Sequence, residues 1–303
     1  FYSAALSVGA AVASLAGASV LTWSKAVDTL SLPGLGPVAP WQLAFLVVGT
    51  PGLLIALLMF TLREPVRTDR PAAADTEGNG LREAMRYLSA RRRAFGGFAA
   101  LVCVMTVTAY SQGWMPAMFE RTWGWAPERY ALVNGILLLV IGPLAVNLAG
   151  WASDALYARG HHDAPLLVVI LGVCILVPTG ALIPLMPTAA WAFVVIAFNT
   201  IGIAILSATA PTALLNITPG EIRGQVIALY FIVISVAGLM IGPMAIGLLN
   251  DFVFGATGIR YSAAVVPLAV GVPVVLTIAG TRRAYRAEQV SMARQTQEES
   301  HGH

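Results

Sequence analysis

The sequence predicts an all-α polytopic membrane protein with eight transmembrane helices. Three observations lead there. Of its 303 residues 57% are hydrophobic and only 11% are charged, where an ordinary soluble domain carries roughly 25% charged residues. Mean hydropathy is +0.77. The apolar residues also gather in runs near the ~20 residues that a helix needs to cross a hydrocarbon core. Eighteen basic and 15 acidic residues cannot clothe a soluble globule of this size. That excludes a soluble enzyme, a disordered chain and a nucleic-acid binder. The net charge of +3 says less than where the charges lie. Cys103 and Cys174 both fall in apolar runs, so neither a disulfide framework nor a metal cluster is expected. The chain enters its first apolar run at Phe1 without a basic stretch, so no signal peptide is read.

The first span, 2–23, is rich in Ala, Gly and Ser and meets no charge before Lys25. Its Ser3, Ser7, Ala10, Ser14 and Gly17 share one face, a spacing that lets helices approach closely. The second span is 41–62. A loop, 63–93, follows. Arg67 to Gly80 reads as a linker. Beyond it Leu81, Met85 and Leu88 fall on one helical face with Arg82 and Arg86 off it. This is either a short interfacial helix on anionic lipid or a solvated basic loop that only fixes topology. The spans 95–118, 130–152, 164–186 and 189–215 come next, the last two divided by a turn at Pro184, Met186 and Pro187. Thr218-Pro219 reads as the N-cap and first residue of the seventh span, 222–249, with Glu221 favoured in its first turn. The eighth span is 261–281. No strands are expected, because lipid excludes open backbone and nothing shows barrel alternation. Pro143, Pro211 and Pro243 lie inside spans and bend them. Trp114, Trp123, Trp125 and Tyr130 read as an outer aromatic belt, or as a contact for an amphipathic substrate.

Orientation follows from Lys and Arg. Alternate loops hold 14 basic residues against 4, which accounts for all 18. The sparse side has Lys25, Arg121, Arg129 and Arg260. The rich side, which includes Arg63, Arg91 to Arg93, Arg159, Arg223 and Arg282, is therefore cytoplasmic, as is the C-terminal tail.

An inverted repeat is visible. Gly142-Pro143 in the fourth span and Gly242-Pro243 in the seventh are each followed by an apolar stretch and a polar end, Ser153-Asp154 and Asn250-Asp251. They occupy equivalent helices of two triplets that run in opposite directions, the pattern of a three-plus-three repeat.

These features, with several short motifs, resemble the major facilitator superfamily from its fifth to its twelfth helix. Pro40-Trp41-Gln42-Leu43-Ala44-Phe45, Gly49-Thr50-Pro51-Gly52 and Leu62-Arg63-Glu64-Pro65 resemble its sixth helix and exit. Gly150-Trp151-Ala152-Ser153-Asp154 with Arg159-Gly160 resembles its loop motif between helices eight and nine. Ala155 there departs from the basic residue that is common, which weakens expected gating contacts. Arg223-Gly224-Gln225, Ala228-Leu229-Tyr230 and Gly242-Pro243 resemble its eleventh helix. Trp114-Met115-Pro116-Ala117-Met118-Phe119 with Arg121 resembles the spinster-like branch. The resemblance implies a truncated major facilitator fold with four N-terminal helices outside the chain. It divides the chain into 1–62, the last two helices of the N-terminal bundle; 63–93, the cytoplasmic linker; 94–284, a complete C-terminal six-helix bundle; and 285–303, a cytoplasmic tail.

The resemblance implies secondary transport by alternating access, coupled to protons, of a small organic or lipid-like solute. It places the protein, as a monomer in contact with lipid, in a plasma (bacterial inner) membrane. No cofactor and no nucleic acid is expected. No span has an ionisable residue in its middle, and the family's titratable carboxylate is expected in the absent first helix. Asp154 is the expected gating residue, facing the N-terminus of the first span, with Gly150 in its motif and Arg159 as loop partner. Arg223 is expected to add a contact between halves. Polar residues at helical spacing mark the substrate cavity: Thr106, Tyr110, Gln112, Asn134, Asn199, Thr200, Tyr230 and Ser235. Asn134 and Asn199 must face protein or water, since an amide facing lipid is costly; the partner is substrate or another helix. An embedded enzyme is disfavoured, because no His or Asp lies mid-span. A non-transporting remnant or partner-binding membrane protein is the alternative.

Overall fold

The computed structural model describes residues 2–25, 30–32, 36–61 and 80–301. They form α1 (Tyr2–Lys25), β1 (Leu30–Leu32), β2 (Gly36–Val38), α2 (Pro40–Met59), α3 (Gly80–Ala90), α4 (Arg92–Ser111), α5 (Met115–Trp123), α6 (Pro127–Ala158), α7 (Ala164–Leu182), α8 (Ala189–Leu215), α9 (Arg223–Val236), α10 (Gly242–Leu249) and α11 (Ile259–His301). Among the described residues seven helical runs are long and apolar enough to cross a membrane, where eight spans were expected. The other expected span, 41–62, forms α2, whose apolar run Phe45–Met59 is shorter. The expectation of no strands fails at one place. β1 and β2 pair antiparallel with Ser31 opposite Pro37, which satisfies backbone groups in the connection from α1 to α2.

Two spans are broken, each just ahead of a proline. One 3₁₀ turn, Gln112–Trp114, separates α4 from α5, and Pro116 stands in the first turn of α5. A five-residue π turn, Ala237–Ile241, separates α9 from α10, and Pro243 opens α10. Proline has no N–H to give to the preceding turn, so a tighter or wider turn takes up the mismatch. A second π turn, Asn250–Phe254, follows α10.

Three local expectations are corrected. Thr218 does not cap: its hydroxyl donates back to the Leu214 carbonyl at 2.8 Å, and Gly220–Ile222 form a 3₁₀ turn before α9 begins at Arg223. The outer aromatic residues do not all face lipid: Tyr130 is buried, and Trp114, Trp123 and Trp125 are half-buried against the core. Fully buried Phe119 packs against Trp123 at 4.6 Å, Tyr130 at 4.7 Å and Phe193 at 4.9 Å between ring centroids. The helix of the eighth span does not stop near 281 but runs on to His301, so that α11 is 43 residues long in all, about 65 Å of helix. Its far part docks on the bundle. Tyr285 is fully buried, and its hydroxyl donates to the Ala213 carbonyl at 2.7 Å.

The second half of the 63–93 loop is helical, as α3. Ala84 is buried, and Tyr87 and Leu88 pack on the core, while Leu81 and Met85 are exposed. The expected apolar face is thus split between the bundle and the outside.

Candidate functional site

A polar seam runs through the bundle where the helices break. Gln112, in the 3₁₀ turn, donates through Nε2 to Asn199 Oδ1 at 2.6 Å. Asn199 donates in turn to Thr179 Oγ1 at 3.0 Å and to the Leu176 carbonyl at 3.3 Å. Asn199 is wholly buried, so of the two expected partners the structure supplies helices. One amide ties the α4–α5 break to α7 and α8, the interhelical use of a polar group that lipid would penalise. Thr200, beside it on α8, is also buried.

Glycines bring the other break onto α4. A Cβ on Gly238 would fall 2.5 Å from the Tyr110 ring and 3.0 Å from Thr106. A Cβ on Gly242 would fall 2.7 Å from the Val107 carbonyl oxygen. Only glycine permits this approach, and Trp114 Nε1 closes it by donating to the Pro243 carbonyl at 3.1 Å. Thr106 is buried, whereas Tyr110 is 42% exposed. Tyr230 is buried earlier on the same span; Ser235 is half-buried and makes no hydrogen bond among the described residues. The structure therefore gathers Thr106, Tyr110, Gln112 and Asn199 with Gly242 and Pro243. It sets Asn134 apart, half-buried on α6.

α1 packs along α6. A Cβ on Gly135 would meet Leu15 at 2.8 Å, and one on Gly142 would meet Ser7 at 2.6 Å. Ser14 Oγ donates to the Ala131 carbonyl at 2.8 Å. Ala11 and Ala18 are buried, while Ala10 is exposed and Gly17 has open space beside it. The packed stripe is Ser7, Ala11, Ser14 and Ala18: Ser7 and Ser14 stand as expected, and Ala11 and Ala18 take the places of Ala10 and Gly17; the Ser3 side chain lies outside the described residues. One turn beyond Pro143, Asn147 Nδ2 donates to the Pro143 carbonyl at 2.8 Å. Asp154 lies about two turns beyond Asn147.

Asp154 and Arg159 are exposed, and Gly150 has open space beside it. Among the described residues neither Asp154 nor Arg159 has an ion-pair partner, so the expected pair is not formed. Five residues along a helix turn side chains about 140° apart, and α6 ends before Arg159. The arginine-rich end is organised instead by Asp163, which the sequence reading passed over. Only 2% exposed, it accepts from Arg282 Nε and Arg286 Nε at 2.7 Å each, and from a second Arg286 nitrogen at 3.0 Å. Burial pushes its carboxyl up, but hydrogen bonds and charge from Arg286 and Arg282 outweigh that and hold it at about 2. Its only trace in the sequence is the pair of arginines spaced i, i+4, which does not name the partner they share. Arg223 donates to the Thr218 carbonyl at 3.2 Å. It shares with Arg286, His161 and His162 an open cavity of about 800 Å³. Among the described residues no group of three His, Cys, Asp or Glu is placed to hold a metal.

Residues 1–243 match the model of the Major Facilitator Superfamily. No curated protein matches the chain. Among solved structures it resembles a bacterial homologue of the human lysosomal transporter Spinster, inward-facing and unoccupied. The TM-score is 0.59 at 20% identity, over 95% of this chain and 67% of that one. The occupied, inward-facing form of such a homologue gives 0.53 at 19% identity, over 95% and 65%. The chain thus spans about two thirds of those proteins' length, and the likeness is one of fold. With its apolar spans and its match over residues 1–243, this integral membrane protein belongs to the Major Facilitator Superfamily, a family of small-molecule transporters and not of enzymes.

Proposed function

We propose that the chain is the fifth-to-twelfth-helix portion of a spinster-like secondary transporter. It would move a small organic or lipid-like solute by alternating access, driven by protons, with the arginine-rich end cytoplasmic. The observation that carries the reading is the contact of α1 with α6. Ser7 and Leu15 lie against Gly142 and Gly135, so glycines on α6 let α1 approach the C-terminal bundle closely. A contact built largely from small residues is compatible with rocking between the two. The breaks at Gln112–Trp114 and Ala237–Ile241 supply bending points beside the polar seam. The half-exposed Tyr110 ring beside the seam, with no carboxylate near it among the described residues, is compatible with such a solute.

The monomeric state and the domain division at 63–93 belong to the same proposal. The test is uptake by proteoliposomes carrying the full-length gene product, with a lysophospholipid and a neutral sugar as probes. Uptake of the lysophospholipid that rises with an imposed pH gradient is expected. Uptake indifferent to the gradient would remove proton coupling. No flux of any solute would leave the non-transporting, partner-binding alternative.

A further inference from the structure

A second cavity, of about 680 Å³, opens at the arginine-rich end between the start of α4 and α11. Small residues leave the space: Ala90 and Ala94 on one side, Gly280, Ala284 and Ala287 on the other. Arginines from two remote stretches of sequence ring it. Arg91 is engaged, its Nε donating to Glu288 at 2.8 Å and its guanidinium lying 3.9 Å from the centre of the Tyr87 ring. Arg92, Arg93 and Arg283 are exposed, and none has an ion-pair or hydrogen-bond partner among the described residues. Four arginines and one glutamate leave an excess of three positive charges in one recess. Membrane orientation needs arginines on this side, but not their convergence on a hollow.

Two further features place the recess at the lipid surface. On adjoining α3, Leu81 and Met85 are 58% and 53% exposed to one side of Arg82 and Arg86, the pattern of a helix at the boundary of hydrocarbon and headgroups. On α11, a stripe at four-residue spacing leads from the recess into the span. Leu276, Val272 and Leu268 are 79%, 47% and 42% exposed, and Gly280 ends the stripe at the cavity.

We propose that this cavity seats the phosphate of an anionic phospholipid, held by Arg92, Arg93 and Arg283, with an acyl chain along Leu276 and Val272. Guanidinium groups bind phosphate oxygens through paired N–H donors, and basic pockets between membrane helices suit anionic headgroups. The stripe is what favours a lipid over a free phosphate ion. The assignment does not depend on which solute is transported.

Native mass spectrometry of the detergent-solubilised chain tests it, with phosphatidylglycerol, phosphatidylcholine and inorganic phosphate as probes. One phosphatidylglycerol should stay bound at least tenfold more tightly than phosphatidylcholine. The triple variant Arg92→Gln, Arg93→Gln, Arg283→Gln should lose that preference, and Arg82→Gln with Arg86→Gln should keep it. Equal retention of both lipids by the unaltered chain would overturn the proposal, and that arm needs no variant. Competition by inorganic phosphate at concentrations matching phosphatidylglycerol would overturn the lipid assignment. So would a triple variant that keeps the preference.

Discussion

Asp163→Asn isolates the ionic contribution at the arginine-rich end. The substitution keeps the side chain's shape but removes the charge that joins Arg282 to Arg286. Those arginines, one turn apart on α11, are then left as like charges on one face. The Asp163 carboxyl is held at about 2 against an ordinary 3.8. At about 1.4 kcal/mol per unit that is about 2.5 kcal/mol. The arginine side chains are 35% and 51% exposed, so solvent screening lowers the expectation to about 1–2 kcal/mol. The assay is thermal unfolding of the purified chain in detergent, unaltered and variant, across pH. At pH 7 the variant should unfold several degrees lower. The folded-state value lies below the free one, so the stabilisation is complete above pH about 4 and is lost as pH falls towards 2. The gap between the two proteins should close over that window. Equal unfolding temperatures at pH 7, or a gap as wide at pH 2 as at pH 7, would refute the reasoning.

Asn199→Ala leaves the Gln112 amide without its partner, while Thr179 keeps its bond to the Ile175 carbonyl; it should cost about 1–2 kcal/mol, read as a lower unfolding temperature at all pH values. Gly242→Ala should destabilise by about 1–3 kcal/mol, because its Cβ would meet a backbone oxygen at 2.7 Å that cannot swing aside. Gly247→Ala, with its nearest neighbour at 3.8 Å, should be neutral in the same measurement.

Architecture was legible in the sequence because lipid imposes one rule over twenty residues at a time. The turn at Pro184 to Pro187 and the apolar stretches of seven spans needed no knowledge of neighbours. What failed depended on neighbours. Pro116 and Pro243 announce breaks, but whether the chain bends, tightens or widens is settled by what packs there. Small residues at Ser7 and Ser14 marked a contact face. The choice between Ala10 and Ala11 for the same stripe is a rotation of about 100° that only α6 decides. The aromatic residues around Phe119 satisfy the composition of a membrane belt and of a core alike. Asp163 was hidden because its partners lie 119 and 123 residues away, a separation no local pattern reports. Asn199 was correctly expected to avoid lipid, while its partner Thr179 carried no signal of its own.

The docked part of α11 has a mechanical meaning. Within about two turns it is pinned to three separate supports: α8 through Tyr285, the α6–α7 connection through Asp163, and the α3–α4 junction through Glu288. A rod braced at three non-collinear points neither pivots nor slides without releasing one of them. Any tilt of α11 in the membrane is therefore delivered as a rigid displacement to all three supports at once. The brace makes the arginine-rich end a truss, so movement at that end is shared by α3, α4, α6, α7 and α8 together.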